Sequence, residues 1–190
     1  MIIAIVGMCG AGKSEVADFL VSKGFGYIRL GQITLEIVKE RGLQPTEENE
    51  RPIREEMRKM HGMAAYATLN LPKIESLKEE YEHIIVDGLY SWEEYLLFKE
   101  RYGKDFFTLA VYSSPETRYE RLEKRAYDSN KDKEMRFRPF SYEQAKSRDK
   151  SEIENLNKAG PIAMADQTII NHGSLEDLKE SSRLFLKSFL

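Results

Sequence analysis

The chain has 190 residues, 41% of them hydrophobic and 32% charged, with a formal net charge of −3. That length favours one domain with room for an insertion, and the balanced charge gives nucleic acid or an anionic membrane no pull as the main partner. The single cysteine, Cys9, excludes an internal disulfide and suits a reducing compartment such as the cytoplasm.

The chain opens on an apolar run, Ile2 to Val6, with no basic region before it and no small-residue cleavage site after it. A signal peptide is therefore not expected, and no run is long enough to span a bilayer. Further runs at 27–30, 83–87, 106–112 and 168–171 are rich in β-branched and aromatic residues, several apolar at consecutive positions. Strands covered by helices on both faces read this way. Helical spacing marks 13–22, 32–40, 47–61, 91–101, 115–125 and 174–189, the last with Ser174 and Asp177 as an N-terminal cap. Strands alternating with helices predict an α/β fold, a three-layer arrangement around a five-stranded parallel sheet.

Two regions break the rhythm. Residues 42–80 carry helical patterns and no strand signal, an all-helical insert inside a single domain of 1–190. Residues 126–140 are mostly polar or charged, and 116–150 hold 11 Lys or Arg against 8 Asp or Glu. A solvated surface reads this way, and so does a lid region over 126–150 that closes on something anionic.

After the first strand comes Gly7-x-x-x-x-Gly12-Lys13-Ser14, a full phosphate-binding loop pattern leading into a helix. Glycines let backbone N–H groups turn inward, with Gly7, Gly10, Ala11 and Gly12 forming the cradle and Glu15 following it. The helix N-terminus adds roughly half a positive charge. Lys13 is placed to reach the β- and γ-phosphates, and Ser14 to bind Mg²⁺. Cys9 fills the turn. Asp87 ends a buried strand, where a carboxylate suits the metal shell and can orient or deprotonate an acceptor hydroxyl. Against a strand-ending Asp in a turn with Gly88, the loop tips the balance to function.

Such a loop serves GTPases, motor or AAA-type ATPases, and small-molecule kinases. The guanine-specificity motif has only a near-match at Asn130–Lys133, and a motor usually needs a longer chain. A kinase needs arginines that converge on the migrating phosphoryl group. Arg118, Arg121 and Arg125 share one helix face, Arg136, Arg138 and Arg148 flank the charged loop, and Arg51, Arg54 and Arg58 share a face of the insert. A solvated helix with interspersed glutamates gives the same spacing. His61, His83 and His172 have no metal-ligand spacing.

The opening "IIAIVGMCGAGKSEVADFL" resembles nucleoside monophosphate kinases and dephospho-CoA kinases. "IIVDG" and "RLEKR" are similar to adenylate kinase segments, and "MADQTIINHGSLEDL" to the end of dephospho-CoA kinases. Over its length the chain resembles an archaeal group related to both. The resemblance implies an ATP- and Mg²⁺-dependent transfer to a nucleotide or nucleotide-like acceptor. It implies Arg121 stacking on adenine, Arg125 and Arg148 on phosphate, and Asn171 and Gly173 lining the adenine pocket. Where adenylate kinases hold the acceptor, Gly31 is kept, but Gln32 replaces an aspartate, Leu35 stands near an arginine's place, and Tyr90 near another's. Arg29, Arg51, Arg54 or Arg58 are the candidates to substitute. A nucleotide-binding regulatory or assembly protein with slow ATPase activity is the alternative.

Overall fold

The computed structural model describes residues 1–125 and 140–190. The charged loop, with Arg136, Arg138 and the Asn130–Lys133 near-match, lies outside them. Among the described residues are five strands and nine α-helices. β1 (Ile2–Val6) leads through the glycine-rich loop into α1 (Lys13–Val21), and β2 (Gly26–Arg29) into α2 (Gln32–Glu40). α3 (Glu47–His61) and α4 (Ala65–Lys78) form the helical insert before β3 (Ile84–Asp87). Then come α5 (Trp92–Tyr102), β4 (Phe106–Tyr112), α6 (Pro115–Glu123), α7 (Tyr142–Leu156), α8 (Ala159–Ala163), β5 (Gln167–Ile170) and α9 (Leu175–Phe189).

The sheet is parallel throughout, in the order β2-β3-β1-β4-β5. β1 lies at its centre, every residue buried, and its side chains divide between two cores. Ile2, Ala4 and Val6 face one way and pack with Val38, Ile74, Phe98 and Tyr102 of the α2–α5 layer. Ile3 and Ile5 face the other and pack with Val16, Leu20, Leu178 and Phe185 of α1 and α9. This two-sided burial is why the strand reads as an unbroken apolar run. Each fully buried large side chain, such as Phe98 or Phe185, contributes roughly 1.5–3 kcal/mol over its exposed state.

The elements follow the sequence patterns closely, and α2 and α3 take the expected spans. The departures lie past residue 140. Residues 142–150, the later part of the expected lid region, begin α7, a helix that packs on α6 through Tyr119, Leu122 and Ala145. A capping box of Ser141 and Gln144 starts it. The consequence for function is topological. In an open parallel sheet, ligands bind beyond the carboxyl ends of the strands where strand order reverses. Here that edge carries Gly7 after β1, Arg29 of β2 and Asp87 of β3, with Arg29 opposite Asp87 in register.

Candidate functional site

The loop between β1 and α1 is shaped by close backbone approaches. Gly10, at φ 80, leaves room for the Arg118 carbonyl, which a Cβ would meet at 2.8 Å. Gly12, at φ 103, lies against the Asn171 amide, with which a Cβ would collide. Asn171 is buried and donates from Nδ2 to the Ala11 carbonyl at 2.8 Å, tying the loop to the end of β5. Lys13 opens α1, and its Nζ donates back to the Met8 carbonyl at 3.1 Å. Gly12 is the N-cap, and no described side chain caps the helix. The resulting cradle is one an anion fits and a side chain would fill.

This loop lines a first cavity with Cys9, Lys13, Ser14 and Glu15 on one side and Asp87, Arg125, Phe140 and Arg148 on the other. Asp87 is buried, and the Tyr27 hydroxyl donates to its Oδ2 at 3.1 Å. Burial first, and then the Lys158 ammonium, bring Lys13 down to about 8. Ser14 and Asp87 both line the cavity and supply hard oxygen donors, the kind Mg²⁺ takes together with phosphate oxygens and water. No cluster of three or more His, Cys, Asp or Glu suited to a metal occurs among the described residues, and a phosphate-borne Mg²⁺ does not require one.

A second cavity adjoins the first. Gly31, the N-cap of α2, and Thr34 and Leu35 of α2 line it, with Glu50, Arg54 and Arg58 of α3. Tyr66 of α4 and Gly88 complete it. The Thr34 and Tyr66 hydroxyls lie 2.7 Å apart, and the Arg58 guanidinium sits 5.3 Å from the Tyr66 ring centroid. Arg54 donates to the buried Glu50 carboxylate at 3.2 Å. Asn70 pins α4 to the end of β2 by donating to the Leu30 carbonyl at 3.1 Å. Arg29, Tyr90 and Arg148 line both cavities and form the wall between them. Tyr90 is fixed from behind: Glu94 accepts from the Tyr90 and Ser91 N–H groups at 2.8 and 3.0 Å, and burial pushes the Glu94 carboxyl up to about 7.

The structure thus brings together Lys13, Ser14, Glu15, Arg29, Asp87, Arg125 and Arg148 in the first cavity, and Gly31, Arg29, Arg54 and Arg58 in the second. Three expectations need correction. Arg51 points outward and pairs with Glu55 at 2.9 Å on the exposed side of α3. Its i, i+3, i+7 spacing with Arg54 and Arg58 does not put it in the cavity. Arg118 is buried against Asp149 at 2.6 Å and donates to the Cys9 and Ser113 carbonyls, so it braces the loop from behind. Arg121, Asn171 and Gly173 line neither cavity. Arg121 instead donates to the Asn171 and Gly173 carbonyls at 3.1 and 3.2 Å, closing a clasp behind the loop.

Several residues of this site carry no sequence signal. Thr34 and Tyr66 are far apart in the chain and meet only through packing of α4 on α2. Glu152 and Lys158 lie behind Arg148 and depend on a reversal of the chain at Asn157. The Glu50–Arg54 pair shows an i, i+4 spacing, but a solvated helix shows the same.

A protein-family model described as an AAA domain matches residues 3–157. A UPF0200 protein of Thermococcus gammatolerans is 30% identical over 191 residues, covering 100% of this chain and 96% of its own. A UPF0200/UPF0201 protein of Archaeoglobus fulgidus is 34% identical over 185 residues, 97% of this chain, and the chain spans 54% of that relative's length. Among solved structures, shikimate kinase from Aquifex aeolicus aligns with a TM-score of 0.53 at 22% identity over 100% of this chain and 98% of its own. Dephospho-CoA kinase from Campylobacter jejuni aligns at 0.54 and 16% over 98% of this chain and 96% of its own. At these identities the likeness to the two kinases is one of fold. No helix among the described residues is long and apolar enough to cross a membrane.

Proposed function

Since the chain belongs to the UPF0200 family and is built on an AAA domain, we propose that it is an ATP- and Mg²⁺-dependent phosphotransferase. It moves a γ-phosphoryl group to a small hydroxyl-bearing acceptor with an anionic group, of nucleotide or nucleotide-like type. One observation carries the reading: the phosphate-loop cavity and an arginine-lined cavity share a wall made of Arg29, Tyr90 and Arg148. A binding protein needs only the first cavity. A transferase needs both, side by side, with cations at their junction.

In this reading the backbone of Gly7, Gly10, Ala11 and Gly12 and the Lys13 ammonium hold the donor phosphates, and Glu15 borders them. Ser14 and Asp87 are the groups that would hold Mg²⁺, which when bound offsets phosphate charge. Asp87 lines the first cavity together with Arg29 and Tyr90 of the shared wall, where its carboxylate can orient the attacking hydroxyl and take its proton. Arg125 and Arg148 stabilise charge on the moving group. Arg121, bonded to the Asn171 and Gly173 carbonyls, braces the loop from behind. Arg29, Gly31, Arg54 and Arg58 receive the acceptor. One domain of 1–190, with 42–80 as the acceptor-side insert, suffices for these parts. The cytoplasm supplies both the donor and the reducing conditions.

The test is ADP release from Mg²⁺-ATP against AMP, CMP, UMP, GMP, dTMP, dephospho-CoA, shikimate and no acceptor. One acceptor should raise turnover many-fold, and Lys13→Ala should abolish the gain. Unchanged ATP affinity and turnover in Lys13→Ala would sink the reading. A second reading is a nucleotide-controlled assembly or regulatory protein with slow ATPase activity. It is supported by the Archaeoglobus fulgidus relative, in which the homologous region is joined to further sequence. It predicts ATP binding with no acceptor stimulation.

A further inference from the structure

Three charges meet behind the wall that separates the two cavities. Glu152 of α7 accepts from Arg148 Nε at 2.9 Å through Oε1 and from Lys158 Nζ at 2.5 Å through Oε2. Lys158 is only 2% exposed. Its ammonium lies 4.3 Å from the Tyr90 ring centroid, while Arg148 lies 5.1 Å from the Phe140 ring on the other side. The chain reaches this arrangement through Asn157, at φ 50, the one non-glycine residue with positive φ among those described. The turn folds Lys158 back onto α7, where its N–H donates to the Glu152 carbonyl at 3.3 Å. Asparagine tolerates this left-handed conformation better than most residues, and here it ends α7 as a C-cap whose own N–H makes the 6→1 bond, to the Glu152 carbonyl, that reverses the chain.

Buried charges are a poor device for stability. The desolvation of three ions is costly, and an apolar set of the same volume is often as stable or more so. Yet all three groups are held in their charged forms. Although burial opposes it, Lys158 and then Arg148 keep the Glu152 carboxyl well below the usual range. Burial likewise opposes the charge of Lys158, and Glu152 overcomes it. The triad carries one excess positive charge, and two of the groups it holds, Arg148 and Tyr90, face both cavities.

We propose that Glu152 and Lys158 are positioning residues for the transferred phosphoryl group, fixing Arg148 and Tyr90 at the wall so that Arg148 engages γ-phosphate oxygens. The inference rests on the phosphotransferase reading above. Glu152 holds Arg148 by Nε, the nitrogen nearest the stem, which restricts a long side chain that otherwise samples many rotamers. Lys158 has a second task. Without it, Glu152 would cancel the charge of Arg148 and leave the wall with no excess positive charge to meet the phosphates. With it, Glu152 anchors Arg148 and the excess positive charge is kept.

The experiment compares Mg²⁺-ADP with the non-hydrolysable Mg²⁺-β,γ-imido-ATP by titration calorimetry. Trp92 offers a second readout, since it is the chain's single tryptophan and packs against Gly160 of α8, two residues past Lys158. The wild type should favour the imido analogue over ADP. Lys158→Met should cut that preference about tenfold, the value of one hydrogen bond to a charged group, and weaken ADP much less. Lys158→Arg should preserve most of it. Lys158→Met strips the buried Glu152 Oε2 of its partner, and Glu152→Gln/Lys158→Met replaces that carboxylate with a neutral amide while Arg148, the most exposed of the three, keeps its charge, so the double variant should regain part of the thermal stability lost in Lys158→Met while the preference stays low. A purely structural triad predicts that stability and preference return together, and that result overturns the inference. So does a wild-type preference retained in Lys158→Met, or a wild type that binds both nucleotides equally. A wild type that binds neither nucleotide overturns the phosphotransferase reading, and this inference with it.

Discussion

The two adjoining cavities are built by different means. The first is anchored on the main chain, a tight loop of glycines at the end of a fully buried strand and a helix N-terminus, with side chains such as Asp87, Arg125 and Arg148 closing it from across. The second is made by long side chains, the arginines and Glu50 of α3 reaching across to Tyr66 of α4 and to α2. The first depends on a few backbone angles that only particular residues permit. The second depends on how one helix is rotated over another. A backbone-built cavity should fail completely when one atom is added, whereas a side-chain-built one should lose affinity residue by residue.

The largest effect is expected at Gly12. A Cβ there would collide with the Asn171 amide and meet Leu178 Cδ2 at 3.1 Å, in a backbone conformation that L side chains rarely adopt. Gly12→Ala should displace Asn171 from the Ala11 carbonyl. Strain and the lost buried hydrogen bond together should cost about 2–5 kcal/mol, with nucleotide affinity lost outright. Thermal unfolding and ADP titration check it, and an alanine variant that binds ADP normally would break the contrast.

Lys13 should show stability and function with opposite signs. Burial, and next the charge of Lys158, bring its ammonium from 10.5 to about 8 in the folded protein. Charging it therefore costs the folded state roughly 3 kcal/mol at and below pH 8, and the cost fades towards pH 10.5, where folded and unfolded chains are both neutral. Lys13→Met should therefore stabilise the ligand-free protein by about 2–3 kcal/mol at pH 7 while abolishing polyphosphate binding, and its advantage should shrink as pH rises from 8 to 10.5. In the wild type, ADP affinity should fall as pH rises through 8, because the ammonium that meets the phosphates is being lost. Chemical denaturation and calorimetry across that range measure both trends.

The same contrast explains what could be read from the chain. Ile2–Val6, Gly7, Gly12, Lys13 and Ser14 form one contiguous stretch in which each type is dictated by burial or by backbone geometry, so the strand, the loop and the start of α1 were visible together. Asp87 was legible because it ends an apolar run. On the other side, Arg51, Arg54 and Arg58 share a spacing that any solvated helix shows, and nothing local says which of them faces inward. Arg118 has the pattern of a phosphate ligand and is instead drawn in by Asp149, 31 positions on, which sequence periodicity cannot see. α7 was obscured because its charged pattern continues the polar composition of the segment before it. Lys158 and Glu152 meet only because Asn157 turns left-handed.

On the acceptor side, Arg58 is the residue with most to lose. Its guanidinium lies over the Tyr66 ring, whose hydroxyl is fixed by Thr34, so its plane is held before any ligand arrives. Arg58→Met should raise KM for the best acceptor of the panel about 10- to 100-fold, the range of one charge-assisted contact, and leave ADP affinity near the wild-type value. Equal losses for ADP and acceptor would mean that the two cavities do not divide donor from acceptor.

Arg51 supplies the smallest expected effect and the sharpest control, because it differs from Arg54 and Arg58 only in where α3 points it. Its side chain is 70% exposed and its partner Glu55 is 65% exposed. Exposed i, i+4 pairs of this kind are worth about 0.3–0.5 kcal/mol, part of which salt screens away. Arg51→Ala should therefore leave acceptor KM unchanged and move stability by no more than about 0.5 kcal/mol, less at high salt. If Arg51→Ala raised acceptor KM as Arg58→Met does, α3 would have to roll its outer face inward when the acceptor binds. The second cavity would then be assembled by the ligand, whereas the glycine loop of the first is formed in advance. If it does not, the rotation of α3 seen here is the working one, and the choice among three equally spaced arginines is made by Ile53 and Met57, the apolar side chains on the same helix that are buried in the α2–α5 core.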